Sequence, residues 1–369
     1  MTAFTTRTPT LRRVARAAGE LAVADYPGAE PAIVIMHGFP DRRSINEPLA
    51  RQLKGRRVLL FDFLGYGASD KPAGHLYDAA SFEDDLDAVV SELTDGRVVI
   101  VGHDASGPTA INWVQRNPRR TEHLVLLNCY YHQTPSLRFP EVIALFADPA
   151  TRPLTTEIAA DDGLLALGFL WQGAEFAKAA PARRDASTAA SAGGRGMPGW
   201  LAALPLRELC GFVGLSPRKM RIGVRLLRKM VKWRFIPTAE QLGWIEQFTN
   251  RPSTREAFLG WTGDIPRSVS SNTARIGLLS SVACPVTVVF GRHDPYITPA
   301  VAEEIAALFA TSSLQFLEAG HWVQLELPER VAEMVSAPMH VSPPTMGRPA
   351  SPGPVTTTRN LGLDGEPPR

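Results

Sequence analysis

Short apolar segments alternate with helical patterns over the first third of the chain. One segment alternates polar and apolar residues, as a half-buried strand does, and the others are nearly continuous apolar runs, typical of strands buried on both faces of a parallel sheet. These predicted strands are Glu20–Tyr26, Pro31–Gly38, Arg56–Gly65, Arg97–Asp104 and Glu122–Tyr131. Helical periodicity separates them, over residues 44–53, 81–93 and from Asp104 to about Asn117. The alternation predicts an α/β fold with an open, mostly parallel, doubly wound sheet.

The pattern changes after residue 131 and returns near residue 278. The middle block has helical periodicity and several tryptophans but no buried-strand run, whereas Cys284–Gly291 and Ser313–Glu318 again read as strands. We therefore predict a helical lid inserted into one α/β domain. The predicted organisation is a first core part at 1–131, the lid at 132–277, a second core part at 278–337 and a disordered Pro-rich tail at 338–369. Within the lid, a stretch near 174–199 rich in Ala, Gly and Pro is expected to be mobile.

Charge and cysteine content narrow the class of protein. The chain has 39 basic and 37 acidic residues, a formal net charge of +2, so no nucleic acid is expected as partner. Its three cysteines are far apart, which argues against a disulfide framework or structural zinc and fits a reducing compartment. The chain start lacks a signal-peptide pattern, and no apolar run reaches membrane-spanning length, so we expect a cytoplasmic protein. No metal-ligand spacing and no phosphate-binding glycine loop occurs, so no metal or cofactor is predicted.

One basic segment has two interpretations. Residues 218–234 place many Lys and Arg residues around apolar residues at helical spacing. Such a helix could touch a membrane surface or an acidic partner. A lid helix with a solvated basic face is the interpretation we favour.

The segment Gly102-His103-Asp104-Ala105-Ser106-Gly107 is the first candidate for chemistry. It follows a buried strand and precedes a helix, and small residues lie two before, two after and three after Asp104. A nucleophile on a strained strand-to-helix turn needs that spacing, because its neighbours come into close contact. Asp104 could equally be a helix N-cap on the evidence of this segment alone. Ser106 is a poorer nucleophile candidate, because Asp104 and Pro108 would occupy the positions where it needs small neighbours.

A second candidate lies at "HGFP", His37 to Pro40, which also follows a buried strand. The backbone N–H of Phe39 could point into a site at the carboxyl edge of the sheet. Together with the N–H of Ala105 it would form an oxyanion hole. The alternative interpretation of this short motif is a simple Gly-Pro turn.

The last two candidates come late in the chain. Asp294 follows one predicted strand and His321 follows the next. A histidine is the usual general base near neutral pH, and it needs a carboxylate to orient it. His293 could compete as the base, but it directly precedes Asp294, so its side chain should point elsewhere.

These segments together resemble the α/β-hydrolase superfamily, in particular its aspartate-nucleophile branch of epoxide hydrolases and haloalkane dehalogenases. The resemblance covers roughly residues 12–337. It rests on "HGFP", "FDFLGYGASDKP" (Phe61 to Pro72), "GHDASG", "GRHDP" and "GHWVQLELPE". The segment "FDFLGYGASDKP" is also similar to mesoderm-specific transcript proteins.

The resemblance implies two-step covalent catalysis. Asp104 would attack an electrophilic carbon and form an alkyl-enzyme ester, which water activated by His321 would hydrolyse, with Asp294 as the partner of the base. A small apolar organic substrate is expected. An epoxide hydrolase is the favoured activity, a haloalkane dehalogenase is the alternative, and a non-hydrolytic binding or regulatory relative is a third possibility.

The residues that would bind the leaving group differ from the patterns of both parent groups. Epoxide hydrolases usually supply two lid tyrosines, but this chain has none between Tyr131 and Tyr296. Haloalkane dehalogenases usually have a Trp after the nucleophile, where this chain has Ala105, and often an Asn after "HG", where it has Phe39. Other residues would then have to bind the substrate and its leaving group. The candidate substrate-pocket residues are His37, Tyr130, Tyr131 and Trp171. Other lid tryptophans with the same potential are Trp200, Trp233, Trp244 and Trp261.

Overall fold

The structure is a computed structural model that describes residues 7–179 and 239–336. The basic stretch 218–234 and the tail from residue 338 lie outside the described residues. So do Trp200, Trp233 and most of the small-residue stretch 174–199, whose first residues form the end of a helix.

Eight strands form one sheet in the order β1-β2-β4-β3-β5-β6-β7-β8. The two pairs β1–β2 and β2–β4 are antiparallel, and every other neighbouring pair is parallel. The strands are β1 Thr10–Arg16, β2 Gly19–Tyr26, β3 Ala29–Met36, β4 Arg56–Phe61, β5 Val98–Asp104, β6 Thr121–Cys129, β7 Val286–Gly291 and β8 Ser312–Leu317. The predicted doubly wound, mostly parallel sheet is therefore confirmed.

Strand β1 was not predicted from the sequence. Its residues read TLRRVAR, and only Val14 is buried. An edge strand that packs one side chain into the core carries almost no hydrophobic periodicity, so its pairing with β2 is visible only in the folded chain.

Helices cover both faces of the sheet. In β3, Val34 and Met36 pack into one hydrophobic core, and Ile33 and Ile35 into the other. The first core receives α2 and α3, and the second receives α1 and α11. The helices are α1 Glu47–Gln52, α2 Ala79–Leu93, α3 Ser106–Arg116, α4 Glu141–Ala147, α5 Arg152–Ala160, α6 Asp162–Ala179, α7 Ala239–Thr249, α8 Arg255–Arg275, α9 Pro299–Ala306, α10 Val323–Glu326 and α11 Pro328–Ser336. Short 3-10 helices occupy Arg43–Asn46, Pro149–Thr151 and Ile276–Ser281.

The segment between β6 and β7 holds α4 to α8, and its described residues contain no strand. Its last long helix, α8, is tied to the sheet by a hydrogen bond from Asn272 Nδ2 to the backbone carbonyl of Tyr131 (3.0 Å). Arg255 at the start of α8 forms an ion pair with Asp162 at the start of α6. The function of these helices as a lid, and its boundaries at 132 and 277, stay predictions. None of the helices in the described part of the chain has the length and hydropathy needed to cross a membrane.

Candidate active site

The turn at Asp104 has the backbone of a strained elbow. Asp104 ends β5 with a φ of 51°, in the left-handed region that side chains other than glycine rarely adopt, and α3 begins two residues later. Close contacts at this turn leave no room for a side chain at two glycines, Gly102 and Gly38. A Cβ atom at Gly102 would lie 2.9 Å from the Cβ of Ala110, and one at Gly38 would lie 2.7 Å from the Cβ of Asp104. Strain of this kind is concentrated at functional sites, because the surrounding fold must enforce it.

Ser106 is held inside the turn. Its hydroxyl donates to the carbonyl of His103 (2.8 Å) and accepts from the backbone N–H of His103 (2.9 Å). The side chain is buried and does not line the cavity that contains Asp104. Ser106 therefore serves the local backbone rather than competing with Asp104.

The two predicted oxyanion-hole amides both contact the Asp104 carboxylate. The N–H of Phe39 donates to Oδ2 at 2.8 Å, and the N–H of Ala105 also bonds to the carboxylate. Burial raises the pKa of Asp104 to about 6, although the charge of His321 and these two amides oppose the rise. The carboxylate is thus ionised at neutral pH, and one of its oxygens already occupies the position where negative charge would be stabilised.

His321 and Asp294 form a buried pair. Nδ1 of His321 donates to Oδ2 of Asp294 at 2.6 Å, which leaves Nε2 as the ring nitrogen available for proton transfer. Oδ1 of Asp294 accepts from the backbone N–H groups of Tyr296 and Ile297, each at 3.0 Å. These bonds fix both the carboxylate and the tautomer of the imidazole.

Asn128 positions Asp294 and was missed in the sequence analysis. Its Nδ2 donates to Oδ2 of Asp294 (2.9 Å), and its Oδ1 accepts from the N–H of Gly291 (2.9 Å). The register of β6 against β5 shifts at this residue, whose φ of 31° marks a bulge. The available sequence signal was a polar residue within the apolar run LVLLNCYY.

The charges around His321 determine its protonation. Burial is the largest influence and lowers the pKa of His321, but the charges of Asp294, Asp104 and Asp41 and the bond to Asp294 together raise it to about 9. The imidazole is therefore protonated at neutral pH while Asp104 is ionised. Conversion of Asp104 to a neutral ester would remove one of these charges and lower the pKa of His321.

His103 stabilises the loop that carries His321. Burial and the charge of His321 lower the pKa of His103 well below its usual value, so the ring is neutral. Its Nε2 lies 3.1 Å from the backbone carbonyl of His321, to which it donates. His293, the rival base, is exposed and pairs with Glu318 at 3.0 Å. It does not line the cavity.

Asp104 and His321 line one cavity, which encloses about 620 Å³ of empty space including its opening to solvent. The described wall is mainly aromatic and aliphatic, with few polar groups. The lining residues are Phe39, Pro40, Asp104, Tyr130, Arg138, Phe139, Pro140, Val142, Ile143, Phe169, Gln172, Phe176, Trp244, Trp261, Tyr296, Ile297, His321 and Trp322.

The four predicted substrate-pocket residues have different environments. Tyr130 lines the cavity, and no described residue forms a hydrogen bond with its hydroxyl. Tyr131 does not line the cavity, because its hydroxyl is directed to Asn112 Oδ1 (3.0 Å) in the core. His37 is also outside the cavity wall, because Nδ1 donates to the carbonyl of Gly38 (2.7 Å) and Nε2 accepts from the N–H of Phe63 (3.2 Å). Neither His37 nor Tyr131 is among the residues that line the cavity, and their role in binding substrate stays a prediction. Trp171 belongs to α6, but its side chain is outside the described atoms.

Asp41 fixes two tryptophans of the cavity wall. Its buried carboxylate accepts from Nε1 of Trp244 (2.8 Å) and from Nε1 of Trp322 (3.0 Å). Trp244 belongs to α7, between β6 and β7, whereas Trp322 directly follows His321. These contacts have no local signal in the sequence, because they join residues about 200 and 280 positions apart. Both indole N–H groups are consequently unavailable to a ligand.

The described residues offer no candidate metal centre. In ranges 7–179 and 239–336, His, Cys, Asp and Glu side chains do not cluster in groups of three or more that could hold an ion.

Comparison with known protein sequences gives matches over part of the chain. A family model described as alpha/beta hydrolase fold matches residues 31–181. Among curated relatives, the AB hydrolase superfamily protein YfhM of Bacillus subtilis is 33% identical over 103 residues, which are 27% of this chain and 35% of the relative. The chain therefore matches only about a third of the length of that relative.

Solved structures match over most of the chain. The epoxide hydrolase CorEH superimposes with a TM-score of 0.59 and 15% identity, covering 88% of this chain and 96% of the other. A mutant of the haloalkane dehalogenase DatA from Agrobacterium tumefaciens gives a TM-score of 0.57 and 18% identity, covering 91% and 98%. The strand order, the family match and these structural neighbours agree that this chain has the α/β-hydrolase fold.

Proposed function

We propose that this protein is a hydrolase that acts through a covalent ester on Asp104, and that its substrates are epoxides. One observation carries the proposal. The Asp104 carboxylate accepts a hydrogen bond from the Phe39 amide and lines the same cavity as His321, which is paired with Asp294. A nucleophile, a base with its orienting acid, and an oxyanion site thus converge on one space.

The first step opens the epoxide. An oxygen of Asp104 attacks one ring carbon, the bond from that carbon to the epoxide oxygen breaks, and the oxygen takes a proton. Tyr130 is the donor that we assign, because it lines the cavity and no described residue forms a hydrogen bond with its hydroxyl. Burial, and secondly the charge of Asp104, raise the pKa of Tyr130, which keeps the phenol protonated.

The second step hydrolyses the ester. Formation of the ester lowers the pKa of His321, and its extra proton passes to the phenolate that the first step leaves on Tyr130. His321 Nε2 then takes a proton from water, and the water oxygen attacks the carbonyl carbon of the Asp104 ester. Negative charge then develops on the oxygen that faces the amides of Phe39 and Ala105, which stabilise it. The bond from the carbonyl carbon to the alkyl oxygen breaks, His321 returns the proton to that oxygen, and a diol leaves. The second proton of the water, which remains on the Asp104 carboxyl, then passes to His321 and restores the ionised nucleophile.

A single turnover in heavy-oxygen water tests this pathway. With enzyme in excess over an epoxide, we expect the label in the Asp104 carboxylate and not in the diol, because water attacks the ester carbonyl. Mass spectrometry of the peptide that contains residue 104 measures the label. Label found first in the diol would indicate direct attack of water on the epoxide and would contradict the covalent pathway.

Replacement of Tyr130 by phenylalanine tests the assignment to epoxides. Tyr130→Phe should slow ester formation from an epoxide by about 100-fold, since general acid catalysis typically contributes 10²–10⁴-fold. Stopped-flow measurement of ester formation gives the rate. Tyr131→Phe is the matched control, which should lower stability by about 1 kcal/mol without slowing ring opening. An unchanged rate in Tyr130→Phe would exclude this tyrosine as the donor.

Haloalkane hydrolysis is the second candidate. Trp261 lines the cavity with its ring stacked on Phe39 at 3.8 Å between centroids, and no described residue accepts a hydrogen bond from its indole. An indole N–H can hold a departing halide. Release of free halide in place of a diol would favour this activity.

A further inference from the structure

Arg138 is a cation in the wall of the otherwise apolar cavity. It lies between β6 and α4, with the neighbouring Phe139 and Pro140 also in the wall. Its side chain is exposed, so the guanidinium is on the solvent side of the cavity. Among the described lining residues, the other ionisable groups to which we assign a role in the chemistry are Asp104, Tyr130 and His321.

No described residue pairs with the Arg138 guanidinium. The acidic residues around this segment have other partners. Glu141 Oε2 accepts from the hydroxyl of Tyr296 at 2.7 Å, and Glu304 Oε1 accepts from the hydroxyl of Ser136 at 2.9 Å. By contrast, some half-buried arginines elsewhere in the fold form ion pairs, as Arg16 does with Asp85 and Arg57 does with Asp25.

Two polar residues of the cavity wall, Gln172 and Tyr296, already have hydrogen-bond partners. Gln172 donates to the Tyr296 hydroxyl (2.8 Å) and accepts from the backbone N–H of Val142 (3.2 Å). The surface between Arg138 and Asp104 is therefore suited to an apolar chain. A ligand with one charged end would bind there in one orientation, because the charge of Asp104 repels an anion while Arg138 attracts it.

We propose that the substrate carries a carboxylate at the end remote from the reacting carbon and that Arg138 binds it. This inference rests on the proposed function. A guanidinium presents a planar set of N–H donors that matches the two oxygens of a carboxylate. The pairing places the epoxide end of the molecule at Asp104, so Arg138 determines both specificity and orientation.

The test compares an epoxide bearing a terminal carboxylate with its methyl ester. For the wild-type protein, we expect kcat/KM to be roughly tenfold higher for the carboxylate, the lower end of the range for a charge-assisted bond because Arg138 is exposed. Arg138→Gln should abolish this preference, because it should lower kcat/KM for the carboxylate about tenfold more than kcat/KM for the methyl ester. Arg138→Lys should keep part of the preference for the carboxylate, because lysine keeps the positive charge but lacks the planar set of guanidinium donors. Arg119→Gln, an exposed arginine outside the cavity wall, is the matched control and should keep the preference.

Two outcomes separate this inference from the proposed function. Turnover of both compounds without a preference, or a preference that Arg138→Gln retains, would overturn the role of Arg138 and leave the epoxide hydrolase proposal intact. If neither compound is turned over, calorimetry with the unreactive carboxylic acid that lacks the epoxide decides. Binding that Arg138→Gln weakens about tenfold would support the carboxylate site alone, and equal binding by both proteins would overturn it.

Discussion

His321→Gln is expected to stop the reaction after its first chemical step and to leave the substrate attached to Asp104. The attack of Asp104 on the substrate needs an ionised carboxylate and a proton donor, and Tyr130 supplies the proton in our proposal. Hydrolysis of the ester needs a base, and a glutamine amide cannot accept the proton of water. We expect ester hydrolysis to slow by about 10³-fold while ester formation continues.

Intact-protein mass spectrometry measures this accumulation. After addition of an epoxide, the mass of His321→Gln should increase by the mass of one epoxide molecule, and proteolysis should place the increase at residue 104. The wild-type protein should show far less adduct, because formation of the ester lowers the pKa of His321 and prepares it to act as base. His293→Gln is the control, since His293 is exposed and pairs with Glu318. Full turnover by His321→Gln, or accumulation in His293→Gln instead, would refute the assignment of the base.

Asp104→Asn is expected to abolish both ester formation and product formation. The amide has nearly the same shape as the carboxylate and can still accept from the Phe39 N–H. It has no negative charge, however, and is a much weaker nucleophile. We expect activity to fall by about 10⁴-fold, as is typical when a catalytic nucleophile is lost. The measurement is diol production under steady-state conditions, with circular dichroism to verify folding.

Ser106→Ala tests whether Ser106, the alternative nucleophile candidate on this turn, takes part in the reaction. We expect Ser106→Ala, combined with His321→Gln, still to form the adduct at residue 104, because the hydroxyl of Ser106 is engaged with the His103 backbone. An adduct found on Ser106 in the Asp104→Asn protein would identify a serine esterase and contradict the aspartyl mechanism.

Much of the fold could be predicted because the relevant signals are local. Each strand from β2 to β8 is a short apolar segment, and the segments appear in the order that a doubly wound sheet requires. The edge strand β1 was missed because it buries only Val14. The proposed catalytic groups were identifiable for a related reason, as Asp104, Asp294 and His321 each lie at the end of a strand or within four residues after it. Parallel strands bring such positions to one edge of the sheet, so local position in the sequence implied proximity in space.

Contacts of the cavity could not be predicted, because they depend on side-chain direction and on segments that are far apart in the chain. Tyr130 and Tyr131 are adjacent in sequence, yet consecutive side chains at a strand end point to opposite sides, so one reaches the cavity and the other reaches Asn112. The indole of Trp244 is occupied because Asp41, about 200 residues earlier, packs against it.

The sequence by itself thus determined the class of the sheet, most of its strands and the three residues proposed to carry the reaction. Periodic burial and strand-end positions are properties of neighbouring residues and are legible along the chain. Only the tertiary structure decided which polar groups remain free in the cavity. A group is free only when every potential partner in the surrounding fold is placed elsewhere, as Arg138 and the Tyr130 hydroxyl illustrate among the residues that the structure describes.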